Sequence, residues 1–188
     1  MGDPVPLTTA RLLLTAPDER DVDAIYEACQ DPDIQRYTTV PSPYTRKNAA
    51  DFVGLVADWW ESGVEHTWGL RAGGEFAGVV GLHAIKDGGA ELGFWAAPAA
   101  RGHGYMTEAA AAVIDFAFGP MRLERVEWRA VVGNTASARV AQKIGFRFEG
   151  VHRRALPGHG VGGAYGRADG WVAGLLSSDT RTPQNWGL

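Results

Sequence analysis

The chain of 188 residues sets 18 Lys plus Arg against 22 Asp plus Glu, a net charge of -4, with 45% apolar and 21% charged residues. Such proportions belong to an ordinary folded domain and exclude a disordered or fibrous chain. A mildly acidic chain without a basic run lacks the footprint that neutralises phosphates, so no nucleic-acid partner is expected. No apolar stretch reaches about 18 residues and no charged-then-apolar leader is visible, so the expectations are no membrane span, no signal peptide and a cytoplasmic address. The lone Cys29 cannot close an internal disulfide.

No repeat or linker divides the sequence, and one domain is expected over residues 1–188, with its core at about 9–176. Arg11 to Thr15 reads as a strand stopped by Pro17. Asp18 can cap a helix on which Val22, Ile25 and Cys29 share a face, which makes Cys29 a core residue. Thr45 begins a second helix carrying Ala49, Phe52, Val53, Val56, Trp59 and Trp60, and Gly63 ends it. The period then changes to two. His66 to Leu70, Phe76 to His83 and Ala90 to Ala97 read as three antiparallel strands joined at Gly73-Gly74 and Asp87-Gly88-Gly89.

Pro98 closes the third of these strands. A helix after Tyr105 carries Met106, Ala109, Ala110, Val113, Ile114 and Ala117 on one stripe and stops at Gly119-Pro120. Arg125 to Val132 reads as a strand, and Asn134 caps a helix bearing Ser137, Val140, Ala141 and Ile144 that ends at Gly145. Phe146 to His152 and Gly170 to Leu176 are the last strands, flanking the glycine-rich segment Gly158 to Gly163. The order is strand, two helices, three strands, helix, strand, helix, two strands. That is an α/β fold with a mixed, mostly antiparallel sheet flanked by helices.

The segment that carries most information is Ala96 to Met106, where a strand ends in a proline, two glycines free the backbone and a helix follows at once. Unpaired amide N–H groups and the positive end of a helix dipole make such a junction a phosphate site. Glycine lets the oxygens reach the backbone. A dinucleotide fingerprint would need a third glycine where this chain has Thr107, and a parallel sheet in place of hairpin-linked strands. A glycine turn with only a structural task fits the same residues.

Arg101-Gly102-His103-Gly104-Tyr105-Met106 resembles the Arg/Gln-x-x-Gly-x-Gly/Ala signature of the GNAT family of acyl-CoA-dependent N-acyltransferases, with Met106 departing from its last position. The RimJ/RimL branch is resembled more narrowly. Its features are Thr9-Ala10-Arg11-Leu12-Leu13-Leu14, Glu91-Leu92-Gly93-Phe94-Trp95, Gly104 to Ala109, Asn134-x-x-Ser137, Lys143-x-Gly145-Phe146 and Glu149-Gly150. The resemblance implies the GNAT fold and an N-acetyltransferase using acetyl-CoA. It implies that the loop Arg101, Gly102, His103, Gly104, Tyr105 and Met106 holds the pyrophosphate of coenzyme A, with Phe94, Trp95 and Ala96 beside the pantetheine. It further implies that Ser137 protonates the departing thiolate while Asn134 positions the sulfur. Capping alone would also account for both residues.

The chemistry requires a neutral amine, a stabilised oxyanion and a leaving thiolate. Glu91 alternates with Gly93 and Trp95 on one strand face and could accept the amine proton; His83 and His66 are further candidates, each equally a structural histidine. No His, Cys, Asp or Glu spacing suits a metal, so none is expected. The acceptor expected from the branch is the α-amino group of a protein or peptide N-terminus. An α-amine with a pKa near 8 is about a tenth neutral at pH 7, whereas a lysine amine is almost wholly protonated. Glu27, Asp31 and Asp33 could attract it, and the Gly158 to Gly163 segment could shape its cleft. Three alternatives stand beside this reading: a small-molecule or antibiotic acceptor, another acyl-CoA donor, and a CoA-binding module without turnover. A homodimer is left open.

Overall fold

The computed structural model describes residues 3–159 and 165–188. Among these residues eight strands form a single sheet in the order β1-β2-β3-β4-β5-β6-β8-β7. They are β1 (Leu7–Thr8), β2 (Leu12–Thr15), β3 (His66–Ala72), β4 (Glu75–Lys86), β5 (Gly89–Ala96), β6 (Arg125–Val131), β7 (Arg147–His159) and β8 (Tyr165–Leu176). Every neighbouring pair is antiparallel except β5 with β6, which is parallel. That exception follows from connectivity, because a helical crossover joins β5 to β6 whereas tight glycine turns join β3 to β4 and β4 to β5.

The helices are α1 (Val22–Ala28), α2 (Pro32–Tyr37), α3 (Arg46–Ser62), α4 (Tyr105–Phe118) and α5 (Thr135–Lys143). Thr45 caps α3 in a capping box with Asn48, and Gly63 ends it in the left-handed conformation at φ 72°. Asp18 caps a short turn, Glu19–Asp21, that leads directly into α1. Two elements escape the sequence reading. The strand β1 has only two residues. The six-residue α2 begins at the Asp31-Pro32 pair, an N-cap followed by proline at the first helical position, and is too short to show an apolar period.

Two apolar clusters fix which face each strand residue takes. The larger joins Leu12, Leu14, Trp68, Leu70, Val80, Leu82 and Leu92 to Ala109, Ala110, Val113 and Ile114 of α4 and to Ala138 and Ala141 of α5. The smaller gathers Val22, Ile25, Cys29, Ile34, Tyr44 and Ala49, with Trp95 packed against it. Leu92, Phe94 and Ala96 of β5 therefore face α4, and Glu91, Gly93 and Trp95 face the opposite side. Cys29 is 1% exposed and in the core as expected.

The glycine-rich segment differs from the expected loop in part. Strands β7 and β8 continue into it, with Gly158 opposite Gly166 and His159 opposite Tyr165. The remainder, Gly160 to Gly163, lies outside the described residues.

Candidate functional site

Strands β5 and β6 pair only from Gly89 opposite Arg125 to Leu92 opposite Trp128. Beyond that point they part. Gly93 to Ala96 stay with β4, and Arg129 to Val131 stay with β8. The inner edges of both strands then carry backbone N–H and C=O groups with no strand opposite, which is a binding surface for an extended polar chain. A cleft of about 390 Å³ opens there. Phe94, Trp95 and Ala96 form one wall, Asn134, Ser137, Arg139 and Lys143 of the α5 region another, and Arg101, Gly102 and Gly104 to Thr107 a third.

The loop is built for an anion. Gly102 and Gly104 lie at φ 81° and 78°, a region costly for any residue with a Cβ. A Cβ at Gly102 would meet nothing within 4 Å, so space stands above the loop. Gly104 is the N-cap of α4 and has no side chain to receive the first N–H groups of the helix, which remain for a ligand. Residues Gly102, Gly104, Tyr105 and Met106 line the cleft, and two positive-φ glycines beside an uncapped helix start suit the pyrophosphate of coenzyme A.

Two side chains of the loop turn to protein partners. The Arg101 guanidinium is held at 2.7 Å by Asp31, the N-cap of α2, so it ties the loop to α2. His103 is exposed and outside the cleft lining, stacked on Tyr105, with its Nδ1 donating to the Arg101 carbonyl at 2.8 Å. Its expected part in holding the cofactor is left to its backbone. Arg11 supplies a support that the sequence did not reveal. It donates to Glu108 at 2.7 Å and to the His103 carbonyl at 2.9 Å, and lies over the Tyr105 ring. The Thr9 hydroxyl, and then Arg11, hold the Glu108 carboxyl below its ordinary range. That carboxylate is thereby neutralised beside the anion site.

Asn134 and Ser137 come together at the cleft. The Asn134 side chain accepts from the Ser137 backbone N–H at 3.2 Å, so it does cap α5. The Ser137 Oγ in turn accepts from the Trp128 indole at 3.0 Å. An indole only donates, so this bond consumes a lone pair of the serine oxygen and leaves its O–H proton for another acceptor in the cleft. Trp128, 1% exposed, is a residue the sequence reading passed over. The available signal was a tryptophan on a buried strand face, whose N–H must find a partner.

Glu91 does not join them. Its carboxylate accepts from the Arg129 side chain, through Nε at 3.0 Å and also through a terminal nitrogen, on the face away from α5. Both bonds fall on Oε2 and hold the side chain against β6, on the face opposite Ser137, so the expected proton transfer to Glu91 is revised. His66 is stacked at 4.0 Å on Trp60, and burial lowers its pKa. His83 sits on the same face as Glu91, with Nδ1 at 2.9 Å from Glu65. Of the acidic residues expected to attract an amine, Asp33 lines the cleft, Asp31 is taken by Arg101, and Glu27 is outside the lining. Among the described residues no cluster of three or more His, Cys, Asp or Glu is placed to hold a metal. No helix among them is long and apolar enough to cross a membrane.

A sheet that splits beside a glycine loop, with a helix start under the loop and a serine across the gap, defines an acyl-CoA N-acyltransferase. The model of the Acetyltransferase (GNAT) domain matches residues 11–147, and the chain belongs to that family of N-acetyltransferases. It is 27% identical over 159 residues to the uncharacterized N-acetyltransferase YoaA of Bacillus subtilis (strain 168), covering 82% of this chain and 90% of that protein. Among solved structures, RimL, a ribosomal L7/L12 α-N-protein acetyltransferase in complex with coenzyme A, superposes with a TM-score of 0.81 at 21% identity, covering 94% of this chain and 100% of that one. RimJ of Mycobacterium smegmatis, in complex with a CoA disulfide, superposes with a TM-score of 0.82 at 20% identity, covering 96% and 90%. The fold expected from the RimJ/RimL resemblance is the fold found.

Proposed function

We propose that this enzyme transfers the acetyl group of acetyl-CoA directly to the α-amino group of a protein or peptide N-terminus. The observation that carries the reading is the placing of the Ser137 hydroxyl, its proton unspent, across the β5–β6 split from the glycine cradle. Acetyl-CoA supplies an activated acyl group on a thiol leaving group. The amides at Gly102, Gly104 and Tyr105 would receive its pyrophosphate, and the free edge of Gly93 to Ala96 its pantetheine amides. Ser137 would give a proton to the departing sulfur, with Asn134 fixing the start of the helix that carries it. The N-terminal acceptor is supported by the likeness to RimL, an α-N-protein acetyltransferase, and by Asp33 at the cleft, which favours a cationic amine. An α-amine also has the neutral form to hand at pH 7, about a tenth of the total. The whole chain would act as one catalytic domain in the cytoplasm.

The test is an acetyl-CoA assay with free-α-amine peptides, N-blocked lysine peptides and small amines including aminoglycosides. Turnover of the first group is expected. Activity confined to blocked lysine peptides or small amines would remove the N-terminal acceptor and leave the acetyltransferase. Coenzyme release with no amine in the panel would remove the transferase reading itself.

A further inference from the structure

We propose that Glu65 and His83 form the proton-accepting pair of this enzyme, with His83 Nε2 as the base that receives the amine proton; this rests on the acetyl-transfer reading above. Three features place His83 for that task. The Glu65 carboxylate is fixed on one side by the Thr67 hydroxyl at 2.7 Å and stands 2.9 Å from His83 Nδ1. With Nδ1 as the hydrogen donor to Glu65, Nε2 carries the free lone pair, the arrangement of an oriented general base.

The second feature is the bed beneath the ring. Gly81 and Gly93 face each other across β4 and β5. A Cβ at Gly93 would lie 2.5 Å from His83 Nε2, and one at Gly81 would lie 3.3 Å from His83 Cε1. Neither glycine is required by a positive φ. The imidazole lying over the strand accounts for Gly93, at which Nε2 is directed, whereas at Gly81 the Thr67 hydroxyl comes closer still, 2.9 Å from such a Cβ. The third feature is the bend of β4. Its pairing with β5 is interrupted directly after His83, where Ala84 takes φ 49°, and bulges of this kind re-aim side chains beside functional sites.

Gly93 is the first β5 residue past the last β5–β6 pair, so the Nε2 atom stands over the opening of the split. Ser137 approaches that split from the α5 face, through Trp128, whereas His83 lies on the opposite face with Glu91. An acyl carbon within the split would have an acid on the side of its sulfur and a base on the side from which an amine enters. The neutral amine nitrogen attacks the thioester carbonyl carbon and a C–N bond forms. Nε2 takes one proton from that nitrogen, the C–S bond breaks, and the sulfur leaves with the electron pair and takes the Ser137 proton. The imidazolium then returns its proton through solvent to the serine oxygen, so that amide and thiol are the only products. The charged groups facing His83 are Glu65 ahead of β3, Glu91 across from it on β5, and Arg129 of β6, which holds Glu91.

The experiment measures kcat and KM against pH for the wild type, His83→Gln, Gly93→Ala and Glu65→Gln, with whichever amine of the panel the wild type turns over. His83→Gln should lose roughly 100-fold in kcat, the usual worth of a general base, with an unchanged KM for acetyl-CoA and an unchanged thermal shift with coenzyme A. The acidic limb of kcat/KM should fall from two ionisations, imidazole and amine, to that of the amine alone. Gly93→Ala, which displaces the ring without removing it, should lose turnover in the same way and serves if the glutamine variant folds poorly. Glu65→Gln, a change at a positioning residue, should lose about tenfold in kcat without a change in KM for acetyl-CoA. Wild-type kcat and an unaltered acidic limb in His83→Gln or Gly93→Ala would overturn the pair. Turnover of small amines only would remove the N-terminal acceptor, and His83 would be judged on those amines. A wild type that acetylates nothing would remove both.

Discussion

Replacing Ser137 with alanine separates two things that one hydroxyl does. Its oxygen accepts the N–H of Trp128, a side chain 1% exposed, and its proton is left for an acceptor in the cleft that Ser137 lines. Losing the first leaves a buried donor with no partner, at a cost of about 1–3 kcal/mol, which for a chain of this length lowers the melting temperature by roughly 2–12 °C. Losing the second removes a hydrogen bond to a group that becomes charged in the transition state, worth about 1.5–3 kcal/mol, or roughly 10- to 150-fold in kcat. KM for acetyl-CoA should change little, because the bond strengthens only as charge grows on sulfur. Calorimetry and thiol release read the two effects separately, and Trp128→Phe divides them further. In that background no N–H is orphaned, so Ser137→Ala should cost little stability while still costing turnover. A Ser137→Ala enzyme that melts lower but keeps its full kcat would refute the assignment and reduce Ser137 to a partner of the indole.

Three other outcomes follow from the geometry. Coenzyme A at 100 times its Kd should stabilise the native state by about 2.7 kcal/mol, or roughly 5–10 °C in Tm. Gly104→Val, which puts a branched side chain at φ 78°, should melt lower than the wild type and lose that shift altogether. Asp31 is held below the ordinary carboxylate range chiefly by Arg101, so its contribution is complete above the unfolded value near 4 and is lost as pH falls through the folded one. Asp31→Asn, which keeps the cap of α2 and removes the charge, should flatten the acid limb of a melting-temperature profile below about pH 4, by at most about 1 kcal/mol, because the guanidinium of the pair is 39% exposed. Glu91→Gln should leave kcat near the wild-type value, because Arg129 already occupies that carboxylate and retains Glu127 at 3.4 Å; a large loss confined to low pH would restore Glu91 as the base.

Much of this site was legible because glycine, capping residues and strand alternation act locally. The loop from Arg101 to Met106 and the cap at Asn134 depend on a few neighbouring residues, and the sequence spells them. The pairs that set chemistry across the sheet are another matter. Glu91 meets Arg129 only because a parallel crossover brings β6 beside β5, and His83 meets Glu65 only through a strand register and a bulge. Alternation places Glu91 and His83 on one face but cannot say which of them a cation neutralises. Trp128 and Arg11 were missed for the same reason. Their partners, Ser137 and Glu108, lie on helices whose packing onto the strands is decided by the apolar core.

Only one cysteine is present, and its surroundings bear on how the acyl group would travel. Cys29 is buried at 1% exposure on the α1 side, and burial pushes its thiol up to about 12. A thiolate is the nucleophilic form, and at neutral pH such a group is almost entirely thiol, so a covalent relay through it has neither a nucleophile nor an approach. Ser137 is no better suited to carry the acyl group, since its oxygen accepts an indole N–H that makes it a weaker base and a better proton donor. Both observations favour the direct attack proposed above, with both substrates bound, for which the sheet must be open from two sides at once. The parting of β5 from β6 after Leu92 supplies that opening, with the cradle and Ser137 on the α4–α5 side and the His83 face on the other.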